Sequence, residues 1–143
     1  MKEQALLRSV DAVMLAVPDL DQGLRVYRDQ LGHELLWRND EVGQAGLRLP
    51  DGDTELVLSA ELGSAVNWLV ASVAQAVDVI ISAGGTVVAE PRDIPVGTVA
   101  VVADPFGNEL VLLQLSKGRY STDATGHVTG VRRSDTDRSN TDR

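Results

Sequence analysis

The chain has 143 residues, of which 43% are hydrophobic and 24% charged, and its formal net charge is −8. This length and composition are typical of one soluble globular domain with a sizeable core. A negatively charged chain repels phosphate backbones, so nucleic acid is not an expected partner. No segment reaches the about 20 consecutive apolar residues of a membrane span, and no signal peptide is predicted. The absence of cysteine excludes disulfides and thiolate chemistry and favours a cytoplasmic location.

The first half of the chain predicts a strand, a helix and three further strands. The apolar run AVMLAV at 12–17 is the first strand, and helical spacing of apolar residues continues from Leu20 to Leu31. Asp19, with a glutamine three residues later, is expected to cap this helix, and Gly32 to end it. The three following strands are predicted at HELLWR (33–38), QAGLRL (44–49) and TELVLS (54–59).

The second half repeats this order. AVNWLV at 65–70 corresponds to AVMLAV, and Ser72 corresponds to Asp19 at an offset of 53 residues. The tetrapeptide Glu-Leu-Val-Leu occurs at 55–58 and again at 109–112. Two blocks repeated in the same order at nearly the same offset indicate two modules, each β-α-β-β-β. The second helix is predicted from Val73 to Gly84, and the last strands are predicted at TVVAEP (86–91), GTVAVVA (97–103) and NELVLL (108–113).

These modules give the predicted domain organisation. One domain spans 8–116 and consists of the repeats 8–60 and 64–116. Residues 117–143 have little apolar content and no period, and we interpret them as a polar C-terminal tail. Its last residues, 132–143, are expected to be flexible or held by contacts with other molecules.

The doubled module contains three motifs, Val-Pro-Asp-Leu-Asp at 17–21, Tyr-Arg-Asp-Gln-Leu-Gly at 27–32 and Asp-Pro-Phe-Gly-Asn at 104–108. Their order and spacing resemble the vicinal oxygen chelate superfamily, which includes glyoxalases, bleomycin resistance proteins and extradiol dioxygenases. The resemblance covers 8–116. It implies an α+β fold in which two tandem βαβββ modules form curved mixed sheets that enclose a cavity, with the helices outside. It also implies a homodimer, because members of the superfamily commonly pair.

In members that bind a divalent metal, the ligands come from the first and last strands of each module. The resemblance places the four ligand positions at Ala12, Val57, Ala65 and Val111. Aliphatic side chains have no lone pair for a metal, so no cofactor is expected, and a divalent metal held by displaced ligands is the alternative. His33 and His127 do not match the ligand pattern, and we interpret them as surface residues.

Side chains alternate across a strand, so residues two apart share a face. If the four ligand positions face the cavity, this alternation adds further cavity-lining candidates. Trp37, Arg38 and Arg48 on the middle strands of the first module join them, because a tryptophan can stack on a flat ligand and an arginine can pair with a carboxylate or enolate. A core position is the simpler interpretation of Trp37, and Trp68 is assigned to the core. The candidates for ligand binding are Met14, Trp37, Arg48, Glu55, Val57, Ser59, Asn67, Glu109 and Val111.

Glu55 and Glu109 are equivalent carboxylates of the two repeats. They could hold a cationic group in the cavity or act as a general acid and base. Alternatively they lie solvated at the ends of their strands, which we favour because each is one or two residues from a turn.

The leading functional prediction is a metal-free small-molecule-binding protein that resembles the bleomycin resistance proteins in its mode of action. Its ligand would be drug-like, or a cationic or aromatic small molecule. The sequence shows no set of nucleophile, base and orienting residue. Three alternatives stay open: a metal-dependent lyase or dioxygenase of the same superfamily with displaced ligands, a metal-free acid/base enzyme that uses Glu55 or Glu109, and a non-catalytic regulatory module.

Overall fold

A computed structural model describes residues 5–132 and shows the predicted element order twice. The first module contains β1 (Ser9–Ala16), α1 (Leu20–Leu24), β2 (Leu35–Asn39), β3 (Gln44–Arg48) and β4 (Glu55–Ser59). The second contains β5 (Ala65–Leu69), α2 (Val73–Ser82), β6 (Thr86–Ile94), β7 (Gly97–Ala103) and β8 (Glu109–Gln114). The predicted α+β class is therefore confirmed. Two short strands follow, β9 (Arg119–Thr122) and β10 (Val128–Arg132).

The chain divides into two compact units. One unit is formed by Asp11–Val66 together with Tyr120–Gly130. The described part of the other unit is formed by Asn67–Arg119 with residues 5–10 and 131–132. Part of the C-terminal segment thus belongs to the unit of the first module, although more than fifty residues of the second module separate the two in sequence.

The first module is an open mixed sheet with the strand order β2-β3-β4-β1. β1 runs parallel to β4, and the other neighbours are antiparallel. One side of this sheet packs on α1 through leucine and alanine side chains, as the alternation of apolar residues predicts. The buried residues of this packing are Leu20, Leu24, Ala45, Leu47, Leu56 and Leu58.

The second module has the equivalent order β5-β8-β7-β6, with β5 parallel to β8. Its helix α2 covers one side of the sheet, and Trp68 packs against this core from β5, so its predicted structural role is confirmed. Leu6 and Leu7, which precede β1, pack on the same cluster. The buried residues are Val70, Val73, Ala76, Val77, Ile80, Ala100, Val102 and Leu112.

Both predicted helix caps are confirmed. The Asp19 side chain accepts a hydrogen bond from Gln22 N, and the Ser72 hydroxyl accepts one from Gln75 N. The first helix differs from the prediction beyond Leu24, where residues 25–30 form a π-helical segment. Its wider turn, with Leu31 N bonded to Val26 O, changes the direction of the side chains that follow. Leu31 is consequently 58% exposed, although the helical spacing placed it on the apolar face.

The predicted polar tail is corrected in its described part, because β9 and β10 form a hairpin there. Gly126 O in the hairpin turn accepts a hydrogen bond of 2.8 Å from Arg38 N on the edge strand β2. The polar composition hid this hairpin because it packs on a sheet edge through backbone bonds and one aromatic side chain. Residues 133–143 of the predicted tail lie outside the described residues. None of the helices in 5–132 has the length and apolar character of a membrane span.

Asp104 organises the turn before β8. Its Oδ1 accepts hydrogen bonds from the backbone N of Phe106 and of Asn108, each at 2.9 Å, and its Oδ2 accepts one from Asn108 Nδ2. The hydrogen bonds from Asn108 are the main reason that the pKa of Asp104 lies below its ordinary value of 3.8. A carboxyl group with a lowered folded-state pKa stabilises the fold above pH 3.8 and loses this effect as the pH falls through the folded pKa.

We expect Asp104→Asn to be less stable than the wild type at neutral pH, because it removes the charge and one acceptor. The difference in unfolding free energy should narrow as the pH is lowered below 3.8. Urea denaturation of both proteins at a series of pH values measures this difference. Asp19 and Asp123 also have pKa values below the ordinary value, and because both proteins contain these residues, the comparison isolates Asp104. Parallel stability curves down to pH 2 would contradict this role.

Candidate functional site

The side of the first sheet that faces away from α1, called here the inner face, holds the first two predicted ligand positions. Ala12 on β1 and Val57 on β4 are 1% and 4% exposed. They form a small buried cluster with Met14, against which Trp37 and Ala65 pack. Gln44 Nε2 lies 3.6 Å from Met14 Sδ on the same face. This face is thus aliphatic at its centre and bordered by polar and aromatic side chains.

Trp37 is the largest side chain on the inner face, and Gly46 makes room for it. The strand register aligns Trp37 with Gly46, Gly46 with Val57, and Val57 with Met14. A Cβ atom added to Gly46 would lie 2.7 Å from Trp37 Cδ1 and closer still to Nε1. The indole ring therefore lies directly on the backbone of β3. A glycine at this position is required by the close approach of the ring.

The indole of Trp37 also orients a carboxylate. Its Nε1 donates a part-buried hydrogen bond of 2.8 Å to Glu55 Oε1. Glu55 is half-buried on β4, whereas its repeat equivalent Glu109 is exposed at the start of β8. The favoured interpretation of both as solvated residues therefore agrees with Glu109 but not with Glu55. Glu55 has the indole of Trp37 beside it, and the equivalent position of the second module has no tryptophan.

Tyr120 of the C-terminal hairpin completes this group. Its ring centroid lies 5.1 Å from that of Trp37, with an angle of 46° between the ring planes. Burial raises the pKa of Tyr120, although a hydrogen bond with the Asn39 side chain acts in the opposite direction. The phenol is therefore neutral at physiological pH. We refer to Trp37, Glu55 and Tyr120 as the aromatic–carboxylate cluster.

Two other predicted candidates of the first module have structural partners. Ser59 is fully buried, and its hydroxyl accepts a hydrogen bond of 3.0 Å from Leu62 N, which stabilises the turn after β4. Arg48 is exposed, and its Nε lies 2.9 Å from Glu34 Oε1 at the surface. His33 Nδ1 donates to Arg48 O at 3.0 Å. These residues lie outside the aromatic–carboxylate cluster.

In the second module, the predicted positions lie on the equivalent face. Asn67 on β5 is aligned with Val111 on β8, and both are half-buried. Asn67 Oδ1 is buried and has no hydrogen-bond partner among residues 5–132. Buried amide oxygens are normally hydrogen-bonded, so Asn67 Oδ1 is an exception within the described part of the chain.

A second polar group surrounds Arg38 on the helix side of the first module. Its guanidinium contacts Asp21 Oδ1 at 3.2 Å and Asp40 Oδ1 at 3.0 Å. Burial alone would lower the pKa of Arg38, but the hydrogen bonds with both carboxylates raise it, so the charge is retained. His127 Nε2 of the hairpin lies 3.6 Å from Asp40 Oδ2. An open cleft of about 490 Å³ adjoins these residues.

Tyr120 and Asn39 are the residues of this site that were not predicted. Tyr120 is the single aromatic residue of 117–143, and this isolation in a polar segment is a signal that it packs elsewhere. Asn39 directly follows the predicted strand 33–38, two residues beyond Trp37, and therefore shares its face by alternation.

The fold and this face define a protein of paired βαβββ modules. A family profile described as the Glyoxalase/Bleomycin resistance protein/Dioxygenase superfamily matches residues 9–112. The chain belongs to this superfamily, as its motifs indicated. No curated protein sequence matches the chain.

Solved structures share this fold. Methylmalonyl-CoA epimerase from Mycobacterium tuberculosis superposes with a TM-score of 0.63 and 23% identity, over 80% of this chain and 92% of that chain. A variant of Streptomyces coelicolor methylmalonyl-CoA epimerase in complex with 2-nitronate-propionyl-CoA gives 0.60 and 24%, over 76% and 97%. A mutant of 4-hydroxymandelate synthase from Streptomyces coelicolor gives 0.58 and 17%, over 78% and 39%. At these identities the similarity establishes the fold.

The donor set at the predicted ligand positions does not fit a divalent metal. All four side chains are alanine or valine, which supply no nitrogen, oxygen or sulfur. Within 5–132 there is also no group of three His, Asp or Glu side chains close enough to hold a metal ion. The polar groups at the described face include the indole of Trp37, the phenol of Tyr120, the carboxylate of Glu55 and the amides of Asn39 and Gln44.

We expect Gly46→Ala to displace Trp37, because the new methyl group overlaps the indole. The cost in unfolding free energy should be roughly 1–3 kcal/mol, as for other insertions into packed sites. Urea denaturation with tryptophan fluorescence measures both effects. Gly52→Ala is the matched control, since a Cβ there meets no described atom within 4 Å and the change should stay within about 0.5 kcal/mol of wild type. Equal stability of the two variants would contradict the packing of Trp37 on Gly46.

Proposed function

We propose that this chain is a cytoplasmic, metal-independent small-molecule-binding protein of the glyoxalase/bleomycin resistance superfamily. The observation that carries the proposal is the inner face of the first module. Where metal-binding relatives are expected to place ligands, this chain has the buried aliphatic residues Ala12 and Val57, with Trp37 and Glu55 beside them. Such a face offers apolar area with one oriented polar group, as small-molecule sites commonly do.

Binding without a metal is favoured over metal-dependent lyase or dioxygenase chemistry by the same residues. Alanine and valine have no donor atom, so no movement of the backbone would allow them to bind a metal. The two histidines have other partners. His33 is bonded to Arg48 O, and His127 lies beside Asp40. The similarity to methylmalonyl-CoA epimerases supports the fold of the site, and we infer no substrate from it.

The hydrogen bond from Trp37 to Glu55 also favours a second candidate function, metal-free acid/base catalysis. A half-buried carboxylate held at 2.8 Å by an indole donor has a defined direction, which proton transfer requires. Glu109 lacks this support because it is exposed. Between the two predicted carboxylates, Glu55 is therefore the candidate acid or base.

Protein purified without chelators should contain far less than one metal ion per chain by elemental analysis. A thermal-shift screen of aromatic and cationic drug-like compounds should give ligands whose binding is unchanged after dialysis against EDTA. These two results are expected because the proposed site uses no metal. Stoichiometric zinc, nickel, manganese or iron, with ligand binding that EDTA abolishes, would overturn the proposal.

We expect Glu55→Gln to weaken binding of a cationic compound from that screen at least several-fold and Glu109→Gln to leave it unchanged. The reason is that a half-buried carboxylate binds a cation more strongly than the neutral amide of the glutamine that replaces it. Isothermal titration calorimetry on both variants makes the comparison, and circular dichroism checks their folding. If Glu55→Gln bound normally but lost turnover of a compound that wild type converts, acid/base catalysis would be the function instead.

We also propose that two chains associate, as the superfamily resemblance implies. Phe106, at the tip of the Asp104 turn, is 86% exposed, and Leu62 after β4 is 50% exposed. Exposed large apolar side chains favour association when they lie on a contact surface. Sedimentation equilibrium of the full chain tests this, with a dimer expected at micromolar concentrations and a monomer throughout the concentration range contradicting it.

A further inference from the structure

The cleft beside Arg38, on the helix side of the first module, is formed by three segments of the chain. They are residues 19–25 at the first helix, residues 38–43 at the turn between β2 and β3, and residues 60–61 after β4. All three belong to the unit that contains Asp11–Val66. The cleft volume of about 490 Å³ lies within the range of small-molecule sites, about 300–1,000 Å³.

Contacts between these segments stabilise the shape of the cleft. Arg38 Nη2 donates to Asp21 Oδ1 at 3.2 Å, which joins the end of β2 to the first helix. Ala60 N donates to Gly43 O at 2.8 Å, which joins the β2–β3 turn to the segment after β4. Leu20, which also lines the cleft, is 5% exposed and supplies an apolar floor. The cleft is therefore a feature of the packed backbone and not only of surface side chains.

Glu61 is held at this cleft by its packing on Gly43. A Cβ added to Gly43 would lie 2.8 Å from Glu61 Cγ and 3.4 Å from Glu61 Oε2. The φ of Gly43 is +66°, a conformation that glycine adopts readily. The glutamate stem thus lies against the backbone of the turn, which gives its carboxylate a defined position.

Six charged side chains line the cleft, and four of them have direct partners there. Asp21 and Asp40 share the guanidinium of Arg38. Asp19 accepts hydrogen bonds from Gln22 N and Gln22 Nε2. These four charges are engaged in holding the walls of the cleft together.

Arg25 and Glu61 are the other two, and they carry opposite charges. Neither forms an ion pair or a side-chain hydrogen bond with any of residues 5–132. Hydrogen bonds from Gln22 are the main cause of the lowered pKa of Asp19, and Arg25 adds a weaker attraction without direct contact. The cleft therefore holds one cation and one anion that its own residues leave without a direct partner.

Two separated opposite charges in one cleft favour a molecule that carries both. A guanidinium binds a carboxylate through two parallel hydrogen bonds, and a carboxylate binds an ammonium group. A simple cation would contact Glu61 but be repelled by Arg25, and a simple anion would meet the reverse. Since Arg25 and Glu61 do not pair with each other, the two groups of the ligand must be separated, as they are in a dipeptide with free ends.

We propose that this cleft binds a small zwitterion of the dipeptide class, with Glu61 binding the ammonium group and Arg25 the carboxylate. The inference goes beyond the proposed function and does not depend on it, because the cleft shares no residue with the aromatic–carboxylate cluster. Both side chains are exposed, so each charge contributes modestly and the dissociation constant is on the order of one millimolar.

The test is an NMR titration of the isotopically labelled full-length chain with leucylglycine, whose leucine side chain suits the apolar floor. The amide signals of Gly43 and Ala60 should shift. N-acetyl-leucylglycine lacks the ammonium group and leucylglycinamide lacks the carboxylate. Each should bind about two- to fivefold more weakly, the range of an exposed ion pair. Equal binding of the three compounds, or signal shifts confined to other parts of the chain, would overturn the assignment.

Two substitutions separate the ends of the ligand. Arg25→Gln should remove the advantage of leucylglycine over leucylglycinamide, and Glu61→Gln should remove its advantage over N-acetyl-leucylglycine. Arg28→Gln and Glu41→Gln change exposed charges outside the cleft, so these matched controls should bind as wild type does. Circular dichroism verifies that each variant is folded. If neither cleft substitution alters the preference among the compounds, Arg25 and Glu61 do not hold the ligand.

A charge exchange distinguishes direct binding from an indirect effect on the fold. Arg25→Glu and Glu61→Arg should each weaken leucylglycine binding, because each brings a like charge to one end of the ligand. The double variant carries both charges in exchanged places and can bind the dipeptide in the reverse direction. It should therefore bind more tightly than either single variant, and no recovery would contradict the proposal.

The outcome for the cleft is separate from the outcome for the inner face. Glu55→Gln should leave leucylglycine binding unchanged, since Glu55 does not line the cleft. If drug-like compounds bind and leucylglycine does not, the cleft inference is wrong and the proposed function stands. If leucylglycine binds at the cleft and no drug-like compound binds, the proposed function is wrong and the cleft inference stands.

Discussion

The contact of Trp37 with the backbone of Gly46 is the constraint on which the inner face of the first module depends. Because β3 has no side chain at this point, the indole lies against the sheet and brings its nitrogen within 2.8 Å of Glu55. The same ring then receives Tyr120 from the hairpin. One glycine therefore determines the position of an aromatic ring, the direction of a carboxylate and the docking of a segment that follows the second module.

The two modules have the same strands but different inner faces. Their helix-side residues correspond closely, since Leu56 and Leu58 of β4 pack as Leu110 and Leu112 of β8 do. On the inner faces, Glu55 is half-buried beside an indole whereas Glu109 is exposed. Packing under a helix constrains the repeat on one side of each sheet, while the other side is free to diverge. Divergence of this kind gives a duplicated fold a site that its symmetry alone would not provide.

Much of the fold could be predicted from the sequence because its signals are local. Strand alternation, the caps Asp19 and Ser72 and the repeated Glu-Leu-Val-Leu depend on residues close together in the chain. The π-helical segment before Leu31 was not predictable from apolar spacing, which assumes a regular α-helix. The hairpin was interpreted as a tail because the segment has few apolar residues. A low apolar content indicates segments that do not join a core, and β9 and β10 bury little apolar area. The orientation of Glu55 could not be predicted from the sequence. It depends on the hydrogen bond from Trp37, which lies eighteen positions earlier in the chain.

The superfamily fold determines which side chains meet at the predicted ligand positions. The first and last strands of each module run parallel and side by side, as Met14 and Val57 do, so side chains at the predicted ligand positions come together whatever their chemistry. Histidine and glutamate there would hold an ion, whereas alanine and valine leave apolar area that must be covered to be stable in water. Trp37 covers part of this area in the first module, and Tyr120 covers the tryptophan in turn. The buried aliphatic positions of the first module are therefore covered by two aromatic side chains of the same unit.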